Sequence, residues 1–280
     1  MAKFSERYGY KTARQTIQID SMSVELRNSL WSLLKLHIWD RVYCRYKGFS
    51  YLSDNNPQIK TLCEQLWFSY FKLPLDTLPD DWREVSSWLR KHYFACDWWA
   101  AYDFVEFIAD NFPYSGRKEF IEMCNAALEK EVSAYRFVNG LISRITDETE
   151  IAEIDHALEG ARDPVRTHLR RALELLSDRE SPDYRNSIKE SISAVESLVA
   201  TVVGEKGTLG QLIKKMEDEI SLHPALKTAF SSLYGYTSDE DGIRHAILES
   251  KDLAFEDAKF FLVVCSAFVN FVESKVAVSD

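Results

Sequence analysis

Glycine is scarce in this chain, ten in 280 residues. None of the ten falls in G-x-x-x-x-G-K-[ST], G-x-G-x-x-G or G-x-S-x-G, and H-E-x-x-H is missing as well. Loops that cradle a nucleotide phosphate need glycines so that the backbone can approach the ligand, so these absences remove most nucleotide-dependent and hydrolase readings. Cysteine is also sparse. Cys44, Cys63, Cys96, Cys124 and Cys265 are odd in number, far apart and form no C-x-x-C. They read as buried, reduced thiols of a cytoplasmic protein, and the equally scattered histidines give no zinc site. No metal and no cofactor is expected. No run of eighteen apolar residues occurs, so no membrane span is expected. The opening Met-Ala-Lys-Phe-Ser-Glu-Arg lacks the apolar core of a signal peptide.

What is present divides unevenly. Residues 1–145 carry 19 Lys and Arg against 18 Asp and Glu, whereas residues 146–280 carry 15 against 26. All seven tryptophans (Trp31, Trp39, Trp67, Trp82, Trp88, Trp98 and Trp99) lie in the first part. Length and this shift in composition predict two domains, residues 1–149 and 150–280. An acidic second half excludes a broad basic footprint for nucleic acid, so any such contact is local or created by assembly. With 46% hydrophobic residues there is ample material for buried cores.

The periodicity is mostly helical. Val24, Leu26, Leu30, Trp31, Leu33, Leu34 and Ile38 share a face of a helix over 23–39, capped by Asp20 or Ser21. A second helix runs from Leu62 to Leu73 and stops at Pro74. Two more fill Trp82–Phe112, and another covers 117–131. The period then changes. Ser133–Val138 and Leu141–Ile145 flank Asn139-Gly140, a pair that tolerates the positive φ angles of a two-residue hairpin turn. Helices resume over 150–159 and 163–177, with Pro164 in the first turn, then 182–203, 209–220 and 224–234. Another begins at Gly242. The last, 255–276, carries Phe260, Phe261, Val263, Val264, Phe268, Phe271 and Val272, and is either central to a bundle or half of a subunit interface. The fold class is mainly α, with one small hairpin.

Arg244-His245 is the polar pair best suited to chemistry. Arginine offers a permanent charge and a planar fork for phosphate, and histidine moves protons near neutrality. Asp241 lies four residues before His245 and shares its face on a helix, so the pair equally suits a simple hydrogen bond. Glu196, inside the apolar stripe of 182–203, is a candidate to orient a neighbour, although a half-exposed helix acid is the commoner case. Arg162-Asp-Pro-Val-Arg-Thr-His168 has an R-x5-H spacing, but Pro164 makes it a helix start and its further arginines suit a solvated face. Trp88, Trp98, Trp99 and Tyr102 have the chemistry to stack bases. At helical spacing they fit a core better. His37, His92, His156 and His223 have no evident partner.

Phe4-Ser-Glu-Arg7, Ile17-Gln18, Met22 with Leu26-Arg-Asn-Ser-Leu-Trp31, and Ala134-Tyr-Arg-Phe-Val-Asn-Gly140 followed by Glu150-Ile151 resemble the N-terminal domain of AbiJ-type abortive-infection proteins of bacteria. Tyr184, Ile188, Ala194-Val-Glu-Ser197, Thr208-Leu-Gly210, Leu233-Tyr-Gly-Tyr236 and Gly242-Ile-Arg-His-Ala246 are similar to a HEPN-type helical bundle. The resemblance implies an anti-phage defence protein. It further implies a metal-independent ribonuclease acting on RNA, whose site forms across a homodimer, with His245 at the family histidine and Arg244 beside it. The stretch upstream of His245, where the family arginine stands, is Ser238-Asp-Glu-Asp241 in this sequence. A non-catalytic interaction or nucleotide-sensing module is therefore the alternative. Neither reading names the phage-derived trigger.

Overall fold

The Ser23 hydroxyl accepts the Leu26 N–H at 3.2 Å and starts helix α1, Val24–His37. This cap replaces the expected Asp20 or Ser21 for a tertiary reason. The preceding backbone is held extended: Gln18 donates its N–H to Val132 O and accepts from Ala134 N, a parallel bridge to Ser133. The Gln18 side chain completes the lock by accepting from Ser23 N and donating to Glu131 O. A helix cannot begin until that bridge ends.

The computed structural model describes residues 4, 8, 17–42, 52, 57–178, 181–205, 207, 209–220, 223–238 and 253–279. The chain divides into two compact units, Met1–Arg144 and Ile145–Asp280. The first unit continues with α2, Pro57–Gln65, which begins earlier than expected because Pro57 stands where its missing N–H does no harm. Its last turn, Leu66–Tyr70, widens to a π-helix closed by Phe71 N–H to Leu66 O at 2.8 Å, and Lys72 leaves it at φ +55°. Helices α3, Trp82–Ala95, and α4, Trp98–Asp110, break at Cys96-Asp97, and α5 spans Arg117–Lys130. Their inward faces bury Tyr93, Phe104 and Phe120 completely, each stabilising by about 1.5–3 kcal/mol relative to exposure.

Strands β1, Arg136–Val138, and β2, Leu141–Ser143, form the antiparallel hairpin, with Phe137 opposite Ile142. Asn139 and Gly140 make the turn at φ +46° and +86°, as the Asn-Gly pair predicts. Both outer edges of this ribbon are closed by side chains. Asn125 of α5 accepts from Phe137 N at 2.7 Å and donates to Phe137 O at 3.0 Å. On the other edge, the Glu106 carboxylate of α4 accepts the Ile142 N–H. Two strands alone are marginal in water, and here helices supply the missing edge partners.

The second unit contains helices and no strand among its described residues. It comprises α6, Glu148–Gly160; α7, Asp163–Ser177; α8, Tyr184–Val203; α9, Leu209–Ile220; α10, Pro224–Ser238; and α11, Phe255–Ser279. Asp147 caps α6 by accepting from Thr149 and Glu150 N–H, and Gly204 ends α8 at φ +73°. Helix α8 packs on α7 through small residues. Ser187, fully buried, donates to Ala172 O at 2.8 Å, and Ser191 donates to Ser187 O at 2.9 Å. Helix α11 is long and apolar enough to cross a membrane by length and composition. In this fold it is tied to α6 instead, by Lys259 to both Glu150 oxygens (2.8 and 2.9 Å) and by Asn270 to Glu153 O and Oε2 (3.0 and 2.8 Å).

Candidate functional site

Asp241, Arg244 and His245, with the helix expected from Gly242, lie outside the described residues. Glu196 is half-buried on α8, between the buried Val195 and Leu198. The second candidate is fully in view. Arg162 is the N-cap of α7 and His168 sits in its second turn. Arg162 is extended, with ψ 154°, before the helix begins, so no helical phase aligns it with His168 and the two side chains part company. Arg162 faces Glu273 of α11 at 3.8 Å, whereas His168 turns to α8 and meets Glu190 at 2.7 Å. The R-x5-H spacing therefore makes no joint site within one chain.

The His168–Glu190 pair is the acid–base constellation that sequence reading missed. Nothing in the local spacing connects α8 position 190 to α7 position 168, so the sequence carries no signal for Glu190. Only the antiparallel packing around Ala172 and Ser187 brings them into register. An ionised carboxylate accepts but does not donate, so in this contact the imidazole donates from Nδ1 and turns Nε2 away from Glu190. Both side chains are about one-third exposed, so water reaches the ring. The neighbouring cations of α7 are engaged elsewhere. Arg166 donates to Leu158 O and Ala161 O, closing the end of α6, and pairs with Asp163. Arg170 and Arg171 both face Glu174.

In the first unit the aromatics make a continuous packed system. Trp67 lies 4.7 Å from Trp88, Phe71 lies 4.7 Å from Trp88, and the His92 ring stacks on Trp88 at 5.4 Å and 7°. Burial depresses the His92 pKa, favouring the neutral ring. Tyr102 is buried and bonds Ser133 Oγ at 2.8 Å, whereas Trp99 remains 49% exposed. Tyr102 is thus a core residue, as its helical spacing suggests, whereas Trp88 and Trp98 are half-buried and Trp99 is exposed. The thiols fit a reduced interior. Cys63 and Cys265 are buried and pushed up to about 12, chiefly by desolvation, and Cys124 is raised further by the same cause. Among the described residues no cluster of three His, Cys, Asp or Glu side chains is arranged for a metal ion.

The fold and its polar features define a class: a mainly helical two-unit protein whose first unit packs a small hairpin against two of its helices. Residues 2–160 match the family AbiJ N-terminal domain 4. The match spans more than half of the chain and extends through α6 into the second unit. The chain belongs to this family, which ties it to abortive-infection defence. Neither a curated protein nor a solved structure matches it.

Proposed function

We propose that this protein is an abortive-infection effector whose second unit is a HEPN-type, metal-independent endoribonuclease completed by homodimerisation. Membership of the AbiJ family over residues 2–160 supports the defence role, and the resemblance of the strings from Tyr184 to Ala246 to a HEPN-type bundle supports the ribonuclease. In the proposed step His245 takes the proton of an RNA 2′-hydroxyl as its oxygen bonds to the adjacent phosphorus. The bond from phosphorus to the 5′-oxygen breaks, and that oxygen is reprotonated, leaving a 2′,3′-cyclic phosphate and a 5′-hydroxyl. Arg244 stabilises the charge that accumulates on the phosphorane. Asp241 orients His245, and Glu196 is the supporting acid on α8. No metal or other cofactor enters the step.

A non-catalytic interaction or nucleotide-sensing module is the second reading. It is favoured by Asp239, Glu240 and Asp241, three acids within the six residues that precede His245 in the sequence and an unfavourable neighbourhood for a polyanion. Purified protein incubated with total RNA and tRNA in EDTA separates the two. Cleavage that His245→Ala abolishes supports the ribonuclease. Cleavage lost in His168→Ala and kept in His245→Ala moves the proton-transfer role to the His168–Glu190 pair. No cleavage by any form, with growth of overexpressing cells unimpaired, supports the module.

A further inference from the structure

Helix α11 has two apolar faces and only one of them is buried. Ala258, Phe261, Leu262, Cys265, Val269 and Val272 point into the unit. Opposite them runs a second stripe: Glu256, Phe260, Val264, Ala267, Phe271 and Lys275, spaced 4, 4, 3, 4 and 4 residues. At about 100° per residue these six fall within roughly 100° of one another, a single face of the helix. Phe260 is 51% exposed, Val264, Ala267 and Phe271 are half-buried, and the charged ends are exposed. Only 39% of the most apolar stretch of this helix is buried.

The spacing reads the same in both directions, and so does the chemistry. A two-fold axis perpendicular to the helix at the level of Cys265 and Ser266 maps Phe260 onto Phe271, Val264 onto Ala267, and Glu256 onto Lys275. An aromatic ring meets an aromatic ring, the larger aliphatic side chain meets the smaller, and the acid meets the base. Self-complementarity of this kind is what an isologous interface requires, since each residue must suit the residue that the axis places opposite it. Had both ends carried one sign, the antiparallel pairing would oppose like charges about 28 Å apart along the helix, at each end of the contact. Lys275 already lies over the Phe271 ring, 5.9 Å from its centre, which covers the rim of the stripe with its aliphatic stem. The ties to Glu150 and Glu153 hold α11 against α6 along its length, so the helix presents this one face and does not leave the bundle.

We infer that the occupant of this face is a second copy of the chain, docked antiparallel α11 to α11 about that axis. The inference specifies the surface for the homodimer on which the proposed ribonuclease depends, and it stands or falls separately from the chemistry.

Light scattering and sedimentation of the full-length protein at micromolar concentration test it. The expected result is a dimer whose Kd rises at least about 30-fold in Phe260→Asp, the loss typical of a central aromatic anchor. Circular dichroism of that variant is expected to match wild type, because the ring it removes is half in solvent. Charge reversal then tests the register. Glu256→Lys and Lys275→Glu each weaken the dimer about three- to fivefold at low salt, and the double reversal restores it, because only an antiparallel pairing sets 256 opposite 275. A dimer indifferent to Phe260→Asp and to both reversals overturns this surface while leaving the ribonuclease dimer intact. A monomeric wild type overturns both. Wild type that stays monomeric and sediments with vesicles of anionic phospholipid, in a manner abolished by Phe260→Asp, assigns the stripe to a membrane surface and overturns the inference.

Discussion

Asn125→Ala is the most direct probe of how the hairpin is held. The Asn125 amide makes two hydrogen bonds to one residue, accepting from Phe137 N at 2.7 Å and donating to Phe137 O at 3.0 Å. Phe137 is 1% exposed and its partner strand lies on the other side. Removing the amide therefore strands a backbone N–H and a carbonyl at the edge of the ribbon. A hydrogen bond is worth about 0.5–1.5 kcal/mol net, and a buried donor left without a partner costs about 1–3 kcal/mol. With partial access to water, the expected loss is about 2–3 kcal/mol for the first unit. Asn125→Asp separates the two bonds, since a carboxylate still accepts from the N–H but repels the carbonyl. The expected order of stability is wild type, then Asp, then Ala. Urea unfolding followed by tryptophan fluorescence reports this unit, because all seven tryptophans lie within it. Hydrogen exchange of the peptide spanning 133–145 reports the edge itself. An Asn125→Ala protein within 0.5 kcal/mol of wild type on the order-of-magnitude scale above, with Phe137 exchange unchanged, would refute the edge-closing role.

Further outcomes are expected. His168→Ala and Glu190→Gln are each expected to cost no more than about 1 kcal/mol in urea unfolding, since the pair is partly exposed and screened; a larger loss would show that the pair is a structural tie. The Asp147 carboxyl is held below its usual range, first by the Glu150 N–H it accepts. A depressed folded value contributes stability above the unfolded pKa that is lost as pH falls through the folded one. Asp147→Ala should therefore lower Tm at neutral pH, with the difference vanishing under strongly acidic conditions; a pH-independent difference contradicts this. Burial keeps Cys63, Cys124 and Cys265 protonated at pH 8, so iodoacetamide should label none of them until denaturant is added. Rapid labelling of Cys265 in the native protein would contradict the burial of that face of α11. Finally, overexpression of wild type should arrest growth, and Arg244→Ala or His245→Ala should relieve it.

Local chemistry made much of this molecule legible. Asn139-Gly140 specifies its turn because few other pairs accept two positive φ values at no steric cost. Pro164 and Gly204 mark a helix start and a helix end for equally local reasons, and the apolar stripe of α8 buries Ile188, Ile192, Val195, Leu198 and Val199 as its spacing predicts, leaving Val202 in the last turn half-buried. Cys63, Cys96, Cys124 and Cys265 are free, as the number and separation of the cysteines suggest. The family resemblance over the first part also lay in short local strings, from Met22 to Trp31 and from Ala134 to Gly140.

What periodicity does not contain is which surface meets which. The cap of α1 moved to Ser23 because Gln18 is engaged by Val132 and Ala134, more than a hundred residues away. The turn Leu66–Tyr70 widened to a π-helix inside a stretch that reads as plain helix, where Trp67, Phe71 and Trp88 pack together. Asn125 and Glu106 became strand partners, and His168 found Glu190, through contacts that helix spacing cannot encode. Residue identity by itself determined the elements, their turns and the two-faced character of α11, because backbone sterics and side-chain periodicity act within a few residues. The tertiary structure alone decided which of those faces is buried, which acid meets which histidine, and which stripe stays partly in solvent, because these depend on close packing between segments distant in the chain.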